Sequence, residues 1–95
     1  MSAIFGSNDS MAIGAMLALR EQNINIPEQV AVAGFDDIII ARYMQPSLTT
    51  VQFDISKFGA TAVTLLLKRL TEGIGFVRPK RIVFPTRVVV RESTA

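Results

Sequence analysis

The chain has 95 residues, of which 49% are hydrophobic, and a mean hydropathy of +0.38, which excludes a second complete domain and an intrinsically disordered segment. The absence of cysteine and histidine excludes a disulfide framework, thiolate chemistry and a Ser-His-Asp triad, and it removes the commonest metal ligand. The net charge of +2 is too small to indicate nucleic-acid binding, although residues 1–47 carry a net −3 and residues 48–95 a net +5.

The first predicted elements are a short strand and a helix. Residues 3–5 are apolar, and the sequence GSND at 6–9 that follows is typical of a strand end, a turn and a helix start. Asp9 or Ser10 is expected to cap the helix, because a side-chain oxygen there accepts a hydrogen bond from an unpaired amide of the first turn. The helix itself is predicted over residues 11–22, which are rich in good helix formers.

This predicted helix is apolar on almost every side. Its first stripe at helical spacing consists of Ala12, Ala15, Met16 and Leu19. Ile13 and Leu17, one turn apart, form a second stripe. Two interpretations of the second stripe stay open: it packs inside the same subunit, or it contacts a second subunit. In so short a chain there is little else to cover both stripes.

A second strand is predicted over residues 30–35, an apolar run of the kind that is covered on both faces of a parallel sheet. Residues 3–35 therefore form a βαβ unit with a right-handed crossover. Ligands bind outside the carboxyl ends of such strands, so the polar residues that follow the two strands are expected at one edge. These residues are Asn8, Asp9, Asp36 and Asp37. Turn chemistry alone also favours asparagine and aspartate there, and both explanations stay open.

The second half of the chain is predicted to contain one helix between strands. Residues 38–44 form a short helical or turn-like piece, and the β-branched run at 47–53 has strand character. A helix capped by Asp54 or Ser56 is predicted to end at Gly73, with basic residues in its last turn where they suit the helix dipole.

The C-terminal segment is predicted to be an interrupted strand. Residues 81–92 form two strand pieces on either side of Pro85, which cannot donate to a strand ladder. Arg87 and Arg91 fall on one face of such a strand. The residues between the basic side chains are mainly valine and isoleucine, without aromatic rings for base stacking. A half-solvated strand is therefore favoured over a nucleic-acid interface.

Four motifs, in the order and spacing of a known family, cover essentially the whole chain. They are NDSMAIGA at 8–15, IPE at 26–28 leading to VAGFDD at 32–37, PSLTTV at 46–51, and VREST at 90–94. Together they resemble the effector-binding core of the LacI/GalR transcription regulators. The resemblance implies an α/β fold: a partial, type I periplasmic-binding-protein-like, three-layer arrangement with parallel strands and flanking helices.

The resemblance also implies that the chain is the C-terminal part of a two-lobed core, without the first lobe or the helix-turn-helix headpiece that binds DNA. Residues 3–47 would belong to the second lobe, residues 48–80 would cross to the first lobe with one of its helices, and residues 81–95 would return as a strand. In this family a small effector, usually a sugar, nucleoside or purine, binds between the lobes and changes operator affinity.

The resemblance assigns two kinds of site residue. The family's ligand-contacting asparagine and aspartate correspond to Asn8 and Asp36. Its dimer interface corresponds to Ile13, Leu17 and Met44, so a homodimer is expected. No metal or cofactor is implied, and the chain is not expected to be an enzyme.

Two other classes of function stay open beside the regulator. The chain could be a fragment of a solute (sugar) binding protein of the same fold, or a fragment whose open sheet edges exchange segments with another copy. The ending at 90–94 and the lack of a signal-peptide pattern favour a cytoplasmic regulator.

Phe53 stands where many relatives have glutamine, which indicates either no ligand contact there or a more apolar ligand edge.

Overall fold

The computed structural model describes residues 2–73 and 78–95. These residues divide into two compact units. The first unit combines residues 2–53 with residues 86–95, and the second consists of residues 54–73 and 78–85.

The first unit is a mixed sheet with one α-helix. Its elements are β1 (Ser2–Phe5), α1 (Asp9–Glu21), β2 (Val30–Phe35), a 3₁₀ helix (Ile39–Tyr43), β3 (Thr49–Gln52) and β4 (Arg87–Val89). The strands lie in the order β1-β2-β3-β4, with the first three parallel and β4 antiparallel to β3. The predicted α/β fold and its βαβ unit are confirmed, and the sheet has one antiparallel strand at its edge.

Helix α1 begins at Asp9, two residues earlier than expected, and a different residue caps it. Asn8 has extended backbone, and its side-chain oxygen Oδ1 accepts a hydrogen bond from the Met11 N–H at 2.8 Å. The prediction that Asp9 or Ser10 is the cap is therefore wrong. The helix ends at Glu21, and Asn23, just beyond it, has a φ of 57°, a conformation that asparagine tolerates better than most residues.

The core of the first unit lies between α1 and the sheet. Its fully buried side chains are Ala12, Met16, Val32, Ala41 and Leu48. Burying a side chain of the size of methionine, valine or leucine contributes about 1.5–3 kcal/mol relative to leaving it exposed. Gly6, directly after β1, lets α1 approach the sheet closely, because a Cβ there would lie 2.7 Å from the Ala12 backbone nitrogen. This close packing brings the N-terminus of α1 to the ends of the strands.

The second unit is built on α2 (Ile55–Glu72). Asp54 caps it, as predicted, by accepting a hydrogen bond from the Lys57 N–H at 2.9 Å, and Gly73 ends it with a φ of 82°. Across residues 2–73 and 78–95, no helix is long and apolar enough to cross a membrane.

The first of the two predicted C-terminal strand pieces is absent. Only the piece after Pro85 forms a strand, where Arg87–Val89 pairs with β3. Residues 81–84 belong to the second unit, and the described part of that unit contains no strand with which they could pair. The β-branched and aromatic residues at 82–84 were therefore not sufficient to form a strand without a neighbouring strand.

Candidate functional site

The loops that follow β1 and β2 meet at one edge of the sheet. The two strands are parallel neighbours, with Phe5 opposite Ala33, and the Gly6 N–H donates to the Ala33 carbonyl at 2.8 Å. Asn8 lies on the first of these loops and Asp36 on the second. Parallel strands thus bring to the same edge the two residues that the family resemblance assigns to the ligand.

Asp36 has a side chain that no other residue of the described part of the chain binds. Its backbone has a φ of 113°, which is unusual for a residue other than glycine, and its N–H donates to the Val51 carbonyl at 2.9 Å. The half-buried carboxylate makes no hydrogen bond or ion pair with any residue of the described ranges. Its acceptor capacity is therefore available to a ligand.

Asn8 is used on one side only. Its Oδ1 atom caps α1, whereas its amide nitrogen Nδ2 makes no hydrogen bond within residues 2–73 and 78–95. The amide nitrogen is a donor and the Asp36 carboxylate is an acceptor, so the edge offers both halves of the hydrogen bonding that a hydroxyl group requires.

Asp9 was grouped with these residues in the sequence, but its environment is different. It is fully buried, at 0% exposure. Its Oδ2 atom accepts from the Ile38 N–H at 2.8 Å, and its Oδ1 atom accepts from the Thr50 hydroxyl at 2.6 Å. Both carboxylate oxygens are therefore used within the protein, and Asp9 is a structural residue rather than a ligand-facing one.

Asp37 is also occupied within the fold. Its carboxylate forms an ion pair with Arg91 at 2.8 Å and accepts from the Gln52 side chain at 2.6 Å. Burial opposes ionisation of Asp37, but the hydrogen bonds from Arg91 and Gln52, with the positive charges of Arg91 and Arg42, outweigh it and hold the pKa of Asp37 below its usual value. Among the residues that the structure describes, Asp9 and Asp37 have side-chain partners, whereas the Asp36 carboxylate has none.

Sequence reasoning missed the roles of Thr50 and Arg91. Thr50 is fully buried and also accepts from the Asp37 N–H at 3.2 Å. Arg91 was expected to share the solvated face of a strand with Arg87, but β4 ends at Val89 and the Arg91 side chain is only 12% exposed. The available signal for Thr50 was a hydroxyl within the run at 47–53 that was predicted to have strand character. Arg91 gave none, since its partner is 54 positions away.

Phe53, which departs from the family pattern, lies close to another aromatic residue. Its ring centroid is 5.8 Å from that of Phe35, with the ring planes tilted by 45°. Both side chains are half-buried. This aromatic pair stands next to the loop that carries Asp36, which follows Phe35 directly in sequence.

The three predicted interface residues differ in exposure. Ile13 and Met44 are half-buried and pack in part against the core, whereas Leu17 is 47% exposed. Ile39 and Tyr43 of the 3₁₀ helix, which the sequence analysis did not single out, are exposed apolar side chains as well. Within the first unit, both α1 and the 3₁₀ helix therefore carry apolar side chains that the chain leaves uncovered.

Comparison with known proteins is consistent with this architecture. Residues 2–94 match the family described as periplasmic binding protein-like domain. The chain is 42% identical over 92 residues to the HTH-type transcriptional regulator AscG of Escherichia coli (strain K12), an alignment that covers 97% of this chain and 26% of AscG.

Two solved structures of LacI-family regulators are also similar. One, from Sanguibacter keddieii DSM 10542, has a TM-score of 0.84 and 42% identity, and the match covers 99% of this chain and 36% of that one. The other, from Enterococcus faecium with bound ribose, has a TM-score of 0.81 and 33% identity, and it covers 99% of this chain and 34% of that one.

The chain thus spans about a quarter to a third of the length of the relatives that it matches. The match extends over nearly all of its residues, and the parallel strands, the capped helix and the polar edge belong to one continuous similarity. The chain belongs to the periplasmic binding protein-like domain family and corresponds to a part of the effector-binding core of the LacI-family transcriptional regulators.

Proposed function

We propose that this chain is the effector-sensing and dimerisation part of a cytoplasmic LacI/GalR-type transcriptional regulator, and not an enzyme. The observation that carries the proposal is the pair at the edge of the sheet. The Asp36 carboxylate and the Asn8 amide nitrogen lie on neighbouring loops, and neither has a partner in the described part of the chain.

The chemistry of this pair favours a polyhydroxylated ligand. A sugar hydroxyl donates to the Asp36 carboxylate and accepts from the Asn8 amide, and a ribose of a nucleoside offers the same groups. A hydrogen bond to the charged carboxylate contributes about 1.5–3 kcal/mol, and one to the neutral amide about 0.5–1.5 kcal/mol. The ribose bound by the Enterococcus faecium relative supports a sugar as the effector, and a nucleoside and a purine are the two alternative effectors of the proposal.

Two side chains do not make a tight site. In the proposal, residues 3–47 are part of the second lobe, residues 48–80 cross to the first lobe, and residues 81–95 return. The opposite wall of the cleft then comes from the remainder of the regulator, as does the headpiece that binds DNA. Effector binding would shift the regulator between two lobe arrangements with different operator affinity. A fragment of a solute (sugar) binding protein is less well supported, because AscG and the two similar structures are described as regulators.

Replacing Asp36 with alanine in the full-length regulator is expected to weaken effector binding at least tenfold, because a hydrogen bond to the charged carboxylate contributes about 1.5–3 kcal/mol. Operator affinity without effector should stay within twofold. Calorimetric titration with D-ribose, cellobiose, adenosine and hypoxanthine measures the first quantity, and fluorescence anisotropy with operator DNA measures the second.

The control for this experiment is Glu28→Ala, which removes an exposed carboxylate outside the edge of the sheet. It should leave both affinities unchanged. Loss of operator binding by Asp36→Ala, with an unchanged effector affinity, would contradict the role assigned to Asp36. The 95-residue chain alone should bind every compound of this panel with a dissociation constant above about 1 mM, since it supplies only one wall of the cleft. A dissociation constant of 1 mM corresponds to a binding free energy of about −4.1 kcal/mol.

The proposed homodimer interface consists of Ile13 and Leu17, the second stripe of α1, together with Met44, which follows the 3₁₀ helix. Leu17→Glu is expected to raise the dimer dissociation constant at least tenfold, because a charge enters an apolar interface. Analytical ultracentrifugation of the chain measures this constant. Ala18→Glu, at an exposed position about 100° farther round the helix, is the control and should leave it unchanged. A wild-type chain that sediments as a monomer would contradict the interface.

A further inference from the structure

We propose that Asp9 and Thr50 are positioning residues for the effector site: together they hold the loop of residues 36–38 in the conformation that presents the Asp36 carboxylate. This inference rests on the proposed function, in which Asp36 contacts the effector. Asp9 and Thr50 act through the loop and do not touch the effector themselves.

Three successive backbone amides of the loop are bound by groups outside it. The Asp36 N–H donates to the Val51 carbonyl at 2.9 Å, and the Asp37 N–H donates to the Thr50 hydroxyl oxygen at 3.2 Å. The Ile38 N–H donates to Oδ2 of Asp9 at 2.8 Å. Strand β3 thus holds the first two amides of the loop, and the first residue of α1 holds the third.

The loop needs these bonds because its backbone is in a disfavoured conformation. Asp36 has a φ of 113°, which lies outside the left-handed helical region and which a residue with a Cβ adopts when its surroundings impose it. Asp37 has a φ of 54°, which aspartate tolerates better than most residues. No glycine relieves either position. Bonds from neighbouring elements, rather than the local sequence, are therefore what keeps Asp36 in place.

Asp9 and Thr50 form one connected unit beneath the loop. The Thr50 hydroxyl donates to Oδ1 of Asp9 at 2.6 Å while it accepts from the Asp37 N–H, so its single hydrogen and one of its two lone pairs are used. Both residues have 0% exposure. Neither side chain is accessible to an effector, which is why we assign them to positioning.

Substitutions that keep or remove a single hydrogen-bonding group test the roles of Thr50 and Asp9 separately. Thr50→Ser keeps the hydroxyl, and Thr50→Val keeps the shape but leaves the Asp37 N–H and Oδ1 of Asp9 without their partner. Asp9→Asn keeps one acceptor for the Ile38 N–H, but its amide group then donates to Thr50, whose own hydrogen loses its acceptor. Serine is therefore the conservative control, and valine and asparagine are the disruptive variants.

The test is nuclear magnetic resonance of the 95-residue chain without any effector. For Thr50→Val, the hydrogen exchange of the Asp37 amide should become at least tenfold faster, and the three-bond couplings of Asp36 and Asp37, which report φ, should shift toward unconstrained values. Thr50→Ser should retain both wild-type signals. Amides in the middle of α1 should exchange at unchanged rates in both variants, which separates loosening of the loop from general destabilisation.

Asp9→Asn provides a second result if Thr50→Val does not fold. It should also accelerate the hydrogen exchange of the Asp37 amide. Unchanged couplings and exchange at Asp36 and Asp37 in every disruptive variant that folds would overturn the positioning role. In the full-length regulator, the panel compound that binds the wild type should bind Thr50→Val at least tenfold more weakly. A loosened loop with undiminished affinity would contradict the effector contact at Asp36, so the two failures are distinguishable.

Discussion

Replacing Gly34 with alanine is expected to destabilise the chain by about 3 kcal/mol. A Cβ at this position of β2 would overlap Oδ1 of Asp9, and it would lie 3.2 Å from both the Asp9 Cα and the Ala12 Cβ. The start of α1 must move away from the sheet to make room. Such overpacking costs about 1–3 kcal/mol, and the loss of the hydrogen bonds from Thr50 and Ile38 to the buried Asp9 adds a similar amount.

Urea unfolding followed by far-ultraviolet circular dichroism measures this change. Gly14→Ala is the matched control, because Gly14 lies in the middle of the same helix, where an added Cβ meets nothing within 4 Å. The control should stabilise the chain by about 0.5–1 kcal/mol, since alanine is the better helix former. A Gly34→Ala variant as stable as the parent would show that the close approach of Asp9 to β2 is wrong.

Deleting residues 91–95 is expected to abolish cooperative unfolding of the chain. This segment completes the sheet where β3 has not yet begun: the Val32 N–H donates to the Ser93 carbonyl at 3.0 Å, and the Ser93 N–H donates to the Ser47 carbonyl at 2.8 Å. The buried Ser93 hydroxyl donates to the Val32 carbonyl at 2.6 Å and accepts from the Thr49 N–H at 2.8 Å. Together with the ion pair of Arg91, these bonds contribute about 5 kcal/mol or more, which is comparable to the whole stability of a small domain.

The same urea titration provides the measurement, and deletion of Ala95 alone is the control. Ala95 is exposed, and within the described residues its one bond is the turn from its N–H to the Glu92 carbonyl, so its removal should be neutral. Ser93→Ala should have an intermediate effect of about 1–3 kcal/mol, because the Thr49 N–H is left buried without its acceptor. A cooperative transition at the parental midpoint after the five-residue deletion would contradict the role of this segment.

Much of the fold was predictable because it depends on short-range patterns. The apolar runs at 3–5 and 30–35 predict β1 and β2, and the helix-forming residues between them predict α1. Asp54 and Gly73 mark the two ends of α2, since a carboxylate that accepts from the first turn and a residue with positive φ are local requirements. The edge at which Asn8 and Asp36 meet also follows, because parallel strands end on the same side.

Which of the polar side chains at that edge are bound within the protein was not predictable from the sequence. Asn8 and Asp9 are adjacent and both suit a helix cap. Asp9 is instead buried and accepts a hydrogen bond from the Ile38 N–H, which is 29 positions away, while Asn8 caps the helix. Asp37 is likewise bound by Arg91. Each of these partners comes from a different element, so the sequence around the acids carries no sign of them.

By itself, the sequence of this chain determined the order of its strands and helices, most of their ends, and which side of the sheet carries polar groups, because these depend on neighbours within a few residues. Only the tertiary structure decided that Asp9 and Asp37 are bound within the protein while the Asp36 carboxylate has no partner among residues 2–73 and 78–95. The physical reason is that a buried carboxylate requires donors, and the donors at this edge arrive from β3, the 3₁₀ region and the C-terminal segment through the fold.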